Sequence, residues 1–144
     1  MCHGFVHDEL LHIRVRDITP TDAPVWEKLR RDLWPDGTED HAAEIASFFA
    51  GTLEEPTAVL MAEDDDGVVV AFAELSLRTD LAGLEGERVA YVEGLYVEPR
   101  LRHHGIARRL LEASRQWARD QKCAAFASDR AERIIVDKSF QQAG

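Results

Sequence analysis

One stretch constrains this chain more than any other: VAYVEGLYVEPRLRHHGIARRLL, residues 89–111. Its first nine residues are rich in β-branched and aromatic side chains, so they read as a strand. Pro99 cannot donate to a sheet ladder and keeps its neighbour out of the helical region, so the strand stops at Glu98. An amphipathic helix opens at about Gly105. The basic segment Arg100-Leu101-Arg102-His103-His104-Gly105 therefore occupies a strand-to-helix turn. There the first helical N–H groups have no intrahelical partner and the helix dipole favours an anion. A phosphate is the natural ligand of such a turn.

At 144 residues the chain is long enough for one domain with a real core. No apolar run approaches the roughly 20 residues of a membrane span, and residues 1–20 lack the pattern of a signal peptide. With only two cysteines, Cys2 and Cys123, a cytoplasmic, reducing location is the expectation. A net charge of −10 argues against nucleic acid and suits a cationic small molecule. Four arginines, Arg100, Arg102, Arg108 and Arg109, nonetheless gather at the turn, while most acids lie elsewhere. Two ligands of opposite sign fit such a distribution.

Residues 1–12 show no clear period and read as a leader or an extra edge strand; residues 13–144 read as one domain. The histidines of that leader match no zinc spacing, and no metal is expected. A strand over 13–16 leads through Thr19-Pro20-Thr21-Asp22 into a helix ending at Trp34-Pro35, and a second helix covers 41–53 with Ala42, Ile45, Phe48, Phe49 and Leu53 inward. Strands over 57–63 and 68–77 flank the turn Asp64-Asp65-Asp66-Gly67. After the central strand and its helix come a short strand over 124–128 and a last helix over 131–142, with Ile134, Ile135, Val136 and Phe140 apolar. The order predicts an α/β fold, a mixed central sheet with helices on both faces.

The turn is neither a P-loop, since no Gly-Lys-Ser/Thr follows, nor a dinucleotide fingerprint, since the leading glycines are absent. Its spacing, Arg102-x-x-Gly105-x-Ala107 after a strand, resembles the acetyl-coenzyme A pyrophosphate site of the GCN5-related N-acetyltransferases. The element order resembles that topology from Ile13 onward. Four further segments resemble the aminoglycoside 6'-N-acetyltransferases within it: Leu29-Arg30-x-x-Leu33-Trp34-Pro35, Ala71-Phe72-Ala73-Glu74-x-Ser76-x-Arg78, Val92-Glu93-Gly94-Leu95-Tyr96-Val97 and Ala127-Ser128-Asp129.

The resemblance implies acetyl transfer from acetyl-CoA to a primary amine of an aminoglycoside, with a homodimer as the expected assembly. It assigns the co-substrate to Leu95, Tyr96 and Val97 and to the turn residues Arg102, His103, His104, Gly105, Ile106, Ala107 and Arg108. It assigns the acceptor to Trp34, Glu74, Glu93 and Asp129, with Asp129, or Glu93 through a water, taking the proton. Each acceptor residue also has a plain structural reading. Trp34 closes the core at a helix end, Glu74 and Glu93 face outward from strands, and Asp129 caps the last helix. The chain departs from the pattern in three places. Phe140 stands where many relatives have a tyrosine acid, Leu81 where related enzymes often place a tyrosine against the sugar, and the family's C-terminal strands have no counterpart. Another amine acceptor, such as a polyamine or a protein N-terminus, and an inactive acetyl-CoA-binding module are the alternatives.

Overall fold

The computed structural model describes residues 12–37, 40–130 and 133–137, from residue 129 onward as backbone alone. Its centre is β3 (Val69–Arg78), in which Val69 through Ser76 are all buried, as befits a strand covered on both faces. On one side β3 pairs antiparallel with β2 (Ala58–Glu63), which pairs with β1 (Arg14–Asp17). On the other it pairs antiparallel with β4 (Val89–Val97), and β4 runs parallel to β5 (Ala125–Arg130). With β6 (Arg133–Asp137) antiparallel to β5, the order is β1-β2-β3-β4-β5-β6. The mixed sheet with helices on both faces is the one the sequence implies.

Local chemistry sets the boundaries. Thr19 and Asp22 form a capping box around a 3-10 turn at Pro20–Asp22, which feeds α1 (Ala23–Leu33). Asp22 also accepts both terminal nitrogens of Arg16, at 2.8 and 3.0 Å, which ties the end of β1 to the start of the helix. The Arg16 guanidinium holds the Asp22 carboxyl below its usual range. Asp40 caps α2 (His41–Ala50) by accepting the Ala43 N–H at 3.1 Å, and Gly51, at φ +78°, ends it. The β2–β3 turn is closed by Asp64, whose Oδ1 accepts the N–H groups of Asp66 and Val68 at 2.9 Å each.

Two apolar layers clamp the sheet. α3 (Ile106–Asp120) lays Ile106, Leu110 and Ala118 on Leu60, Val70, Leu75 and Val92. α1 and α2 bury Trp26, Leu29 and Ile45 against Met61, Phe72 and Tyr96 on the opposite face. Each fully buried large side chain contributes roughly 2–3 kcal/mol. A smaller cluster joins Leu81 and Leu84, in the loop after β3, to Tyr91 and Ala127.

Three expectations change. The segment predicted as a helix over 131–142 contains β6, a strand from Arg133 to Asp137; the residues on either side of it, 131–132 and 138–144, lie outside the described set. Ile134, Ile135 and Val136 are consecutive and β-branched, a run that fits a strand and has no helical period. Asp129 accordingly lies within β5, its backbone opposite Ile134, and caps no helix. On α2 it is His41, not Ala42, that turns inward. Of the leader or edge strand expected over residues 1–12, only His12 is among the described residues, and it lies outside any strand. Among the described residues no helix is long and apolar enough to cross a membrane.

Candidate active site

β4 and β5 pair only from Val89↔Ala125 to Val92↔Ser128, whereas β4 continues to Val97. From Glu93 onward the sheet is therefore split on that side. At the same point β4 carries a bulge: Glu74 faces Gly94 and Leu75 faces Val92, which leaves Glu93 as the extra residue. The bulge inverts the side-chain alternation. Val89 and Tyr91 share one side of the sheet, and beyond the bulge Tyr96 occupies it, while Val92, Leu95 and Val97 join the core under α3. Glu93 is thereby re-aimed out of the sheet.

The freed edge supplies polar backbone. The Glu98 N–H donates to the Val70 carbonyl at 3.0 Å, so by strand alternation the N–H and carbonyl groups of Leu95 and Val97 point into the split. Arg102 Nε donates to the Val97 carbonyl at 2.8 Å, and its guanidinium lies 5.1 Å from the Tyr96 ring centroid, so the turn is pinned to the strand end. His103, at φ +70°, and Gly105, at φ +87°, bend the chain in the left-handed region before α3 begins. Arg109 makes the first bond back to the Gly105 carbonyl, at 3.1 Å, and the N–H groups ahead of it in the helix have no intrahelical acceptor. A cleft of about 460 Å³ lies between this turn and the split strand. It is lined by Leu95, Tyr96 and Val97 on one wall and by Arg102, Gly105 and Ala107 on the other. Such a wall of unpaired N–H groups fits a diphosphate, and a free strand edge fits an amide-bearing arm.

A second cavity, of about 510 Å³, adjoins it; Leu33 belongs to both walls. Trp34, Glu74, Glu93, Glu55, Asp36 and His41 face this space, which makes it acidic. Trp34 caps the C-terminus of α1, its N–H bonded to the Arg30 carbonyl at 2.8 Å, and its ring lies over Gly94. A Cβ at residue 94 would sit 2.8 and 2.9 Å from that ring, so glycine is required there for the close approach.

A model of the acetyltransferase (GNAT) family matches residues 25–144. The chain belongs to this family. It is 43% identical over 116 residues to an aminoglycoside N(6')-acetyltransferase type 1 of Klebsiella aerogenes, covering 80% of this chain and 76% of that one. To the enzyme of the same name from Stenotrophomonas maltophilia it is 40% identical over 132 residues, covering 90% and 84%. Among solved structures it is similar to AAC(6')-Iy in complex with the bisubstrate analogue CoA-S-monomethyl-acetylneamine, with a TM-score of 0.73, 31% identity and coverage of 83% and 80%.

On this GNAT frame the sequence-predicted residues fall into place as two groups. Leu95, Tyr96, Val97, Arg102, His103, Gly105, Ile106 and Ala107 line the cleft. His104 and Arg108 belong to the same turn and helix start, with exposed side chains. Trp34, Glu74 and Glu93 line the acidic cavity. Asp129 follows Ser128 by one residue just as Glu93 follows Val92, so its backbone stands at the parting of β4 and β5. Leu81 is 6% exposed in the cluster with Tyr91 and Leu84 and does not line the cavity. Among the described residues no cluster of three or more metal-ligating side chains is assembled.

The sequence reading gave no role to the two arginines that hold the cavity's carboxylates. Arg30, 5% exposed, donates to Glu74 through Nε at 2.6 Å and Nη2 at 3.0 Å, while Trp26 Nε1 donates to the same carboxylate at 2.9 Å. Its Nη1 reaches Glu44 at 2.7 Å and His41 Nδ1 at 3.2 Å. Burial opposes the guanidinium's charge, but the bonds to Glu74 and Glu44 outweigh it, and Arg30 holds its proton more tightly than usual. Arg78 grips Glu93 in the same way, and burial is again outweighed, here by Glu93. A signal for Arg30 was present: Trp26, Leu29, Arg30 and Leu33 follow the i, i+3, i+4, i+7 spacing of an inward face, and a cation on that face demands a buried acid.

Proposed function

We propose that the protein transfers the acetyl group of acetyl-CoA to the 6'-amine of an aminoglycoside. The observation that carries this reading is the junction at the β4 bulge, where a cleft walled by free backbone N–H groups abuts an acidic cavity with an indole on its side. The names of the relatives and the bisubstrate analogue in the similar structure support the same pairing of ligands.

Acetyl-CoA supplies an activated thioester. The N–H groups over residues 103–108 are suited to its diphosphate, and the edge of Leu95 to Val97 to its pantetheine amides. The Val97 N–H, pointing into the split, is suited to stabilise charge developing on the thioester carbonyl, a contact of roughly 3 to 4 kcal/mol in comparable oxyanion sites. Trp34 offers a flat apolar wall to a sugar ring, and Asp36, Glu55 and Glu93 offer charge to its ammonium groups. The reacting amine must first lose a proton, at about 4.6 kcal/mol if its pKa is near 10.4 and the pH is 7. Asp129, or Glu93 through a water, takes that proton once the amine is aligned. The reading includes a homodimer, as the family resemblance implies, in the reducing cytoplasm that the cysteine usage suits; sedimentation at twice the chain mass tests the assembly.

The decisive experiment mixes purified protein with acetyl-CoA and a panel of kanamycin-like aminoglycosides and polyamines, following free thiol and acceptor mass. Thiol release with a gain of one acetyl group on an aminoglycoside is expected. Release with polyamines alone moves the reading to another acceptor, and no release with any amine refutes it. Asp129→Asn is expected to lower kcat about a hundredfold or more, and unchanged turnover across pH 6 to 9 contradicts the assignment of Asp129.

A further inference from the structure

The carboxylates of the acidic cavity differ in one respect that their type does not reveal. Glu74 and Glu93, the two that rise from the sheet beside the split, each already hold an arginine. Asp36 and Glu55, on exposed segments around the opening, make no salt bridge among the described residues, and Glu55 feels Arg78 only at longer range. Attraction for a polycation is therefore strongest at the rim and tempered at the floor, where the reacting amine must sit.

Arg78 makes the tempering at Glu93 specific. It stands at the end of β3, opposite Val89, with its guanidinium stacked 3.9 Å from the Tyr91 ring centroid. From there Nη2 donates to Oε1 at 2.9 Å and to Oε2 at 2.8 Å, and Nε donates to Oε2 at 3.0 Å. The pair is only partly desolvated, with side-chain exposures of 30% for Arg78 and 20% for Glu93, so the carboxylate still reaches the cavity. A carboxylate has about four lone-pair directions. Arg78 occupies one edge and leaves the rest toward the cavity. The other charged groups around Glu93 are Glu74 with Arg30 on β3 and α1, His41 and Glu44 on α2, Glu55 ahead of β2, Asp36 after α1, and Asp129 by its backbone position on β5.

An ammonium bound to an unpaired carboxylate is held well but keeps its proton, and only the free amine can attack a thioester. Sharing the carboxylate with a fixed cation weakens the hold and lowers the barrier to deprotonation. We propose that Arg78 is a positioning residue for the acceptor: it shares Glu93 with the incoming ammonium, so that Glu93 aligns the amine without locking its proton in place. This rests on the acetyl-transfer reading above.

The test is the pH profile, from pH 6 to 9, of kcat and of KM for kanamycin in wild type, Arg78→Met and Arg78→Lys. Methionine keeps much of the bulk over Tyr91 and removes the charge. The expected result for Arg78→Met is a KM about fivefold lower, with the rise of kcat displaced about one pH unit upward; lysine restores most of the wild-type profile. A KM that rises, or a kcat that falls by one factor at every pH, overturns the proposal, since loss of packing alone does that. Glu93→Gln provides a second, opposite reading: with Arg78 left unpaired beside the amine, KM rises and the profile moves to lower pH. This variant decides the matter if Arg78→Met melts too low to assay. If wild type acetylates only another amine, the aminoglycoside reading fails and the same profiles are taken with that amine. If it acetylates none, calorimetric titration of kanamycin decides, and binding that is no tighter in Arg78→Met overturns the proposal.

Discussion

The two cavities that meet at Leu33 are built in different ways. The cleft beside the turn is made of backbone, supplied by one continuous run from Leu95 to Ala107, with Arg102 as its fastener and Asp32 and Leu33 at its margin. The acidic cavity is made of side chains drawn from α1 and the segment after it, α2, the segment before β2, β3 and β4. Backbone N–H groups survive most side-chain changes, so the first site is robust and depends on local bends. The second depends on charges that neutralise one another across the core, so it is fragile and coupled to stability. Under the proposed function the cleft takes the co-substrate shared across the family, and the cavity takes the acceptor.

Mutations that break one region while sparing the other sharpen this contrast. The largest effect is expected from Arg30→Met, which strands Glu74 beneath the cavity without its cation. Losing one partner of a buried pair costs about 3–5 kcal/mol, to be read from urea unfolding. Arg30→Met combined with Glu74→Leu should recover most of that loss. Next is Gly94→Ala, whose methyl must displace the Trp34 ring from contacts of 2.8 and 2.9 Å. Overpacking of this kind costs about 1–3 kcal/mol. The acceptor KM should rise at least severalfold and the tryptophan emission should shift, with the Kd for coenzyme A unmoved. Gly105→Ala should do the converse. Its added Cβ meets nothing within 4 Å, so the penalty is purely that of a left-handed φ of +87°, about 1–2 kcal/mol. Titration calorimetry should show coenzyme A binding roughly tenfold weaker and aminoglycoside binding intact.

The smallest effect lies outside both cavities and serves as a control. Asp22, held below its ordinary value of 3.8 by Arg16, stabilises the β1–α1 corner at pH above that value. The contribution fades as the pH falls through the ordinary carboxylate range to the lowered value. Arg16→Ala should remove about 1 kcal/mol of stability at pH 7 and little at pH 2, with kcat unchanged throughout.

The same contrast explains what the sequence disclosed. The strand that ends at Pro99, the bend at Gly105 and the helix behind it are neighbours in sequence, so their spacing carried the cleft almost entire. The cavity was legible only through resemblance. That identified Trp34, Glu74 and Glu93, but the plain reading of Glu74 as an outward strand carboxylate fails, because its cation arrives from a helix 44 residues away. The bulge at Glu93 is set by pairing with β3, which no local pattern encodes. Residues 134–136 are apolar but also consecutive and β-branched, and that strand preference prevails, so β6 stands where a helix is expected.

The central claim is that a backbone-built donor cleft delivers a thioester to the floor of a charge-tempered acceptor cavity. The most direct measurement is a crystal structure with coenzyme A and kanamycin together. The account predicts the diphosphate on the N–H groups of residues 103–108, the sulfur beside Val97, and an amine of the antibiotic between Trp34 and Glu93, facing that sulfur. Coenzyme A bound away from the turn, or an aminoglycoside whose amines lie outside the cavity, would contradict it.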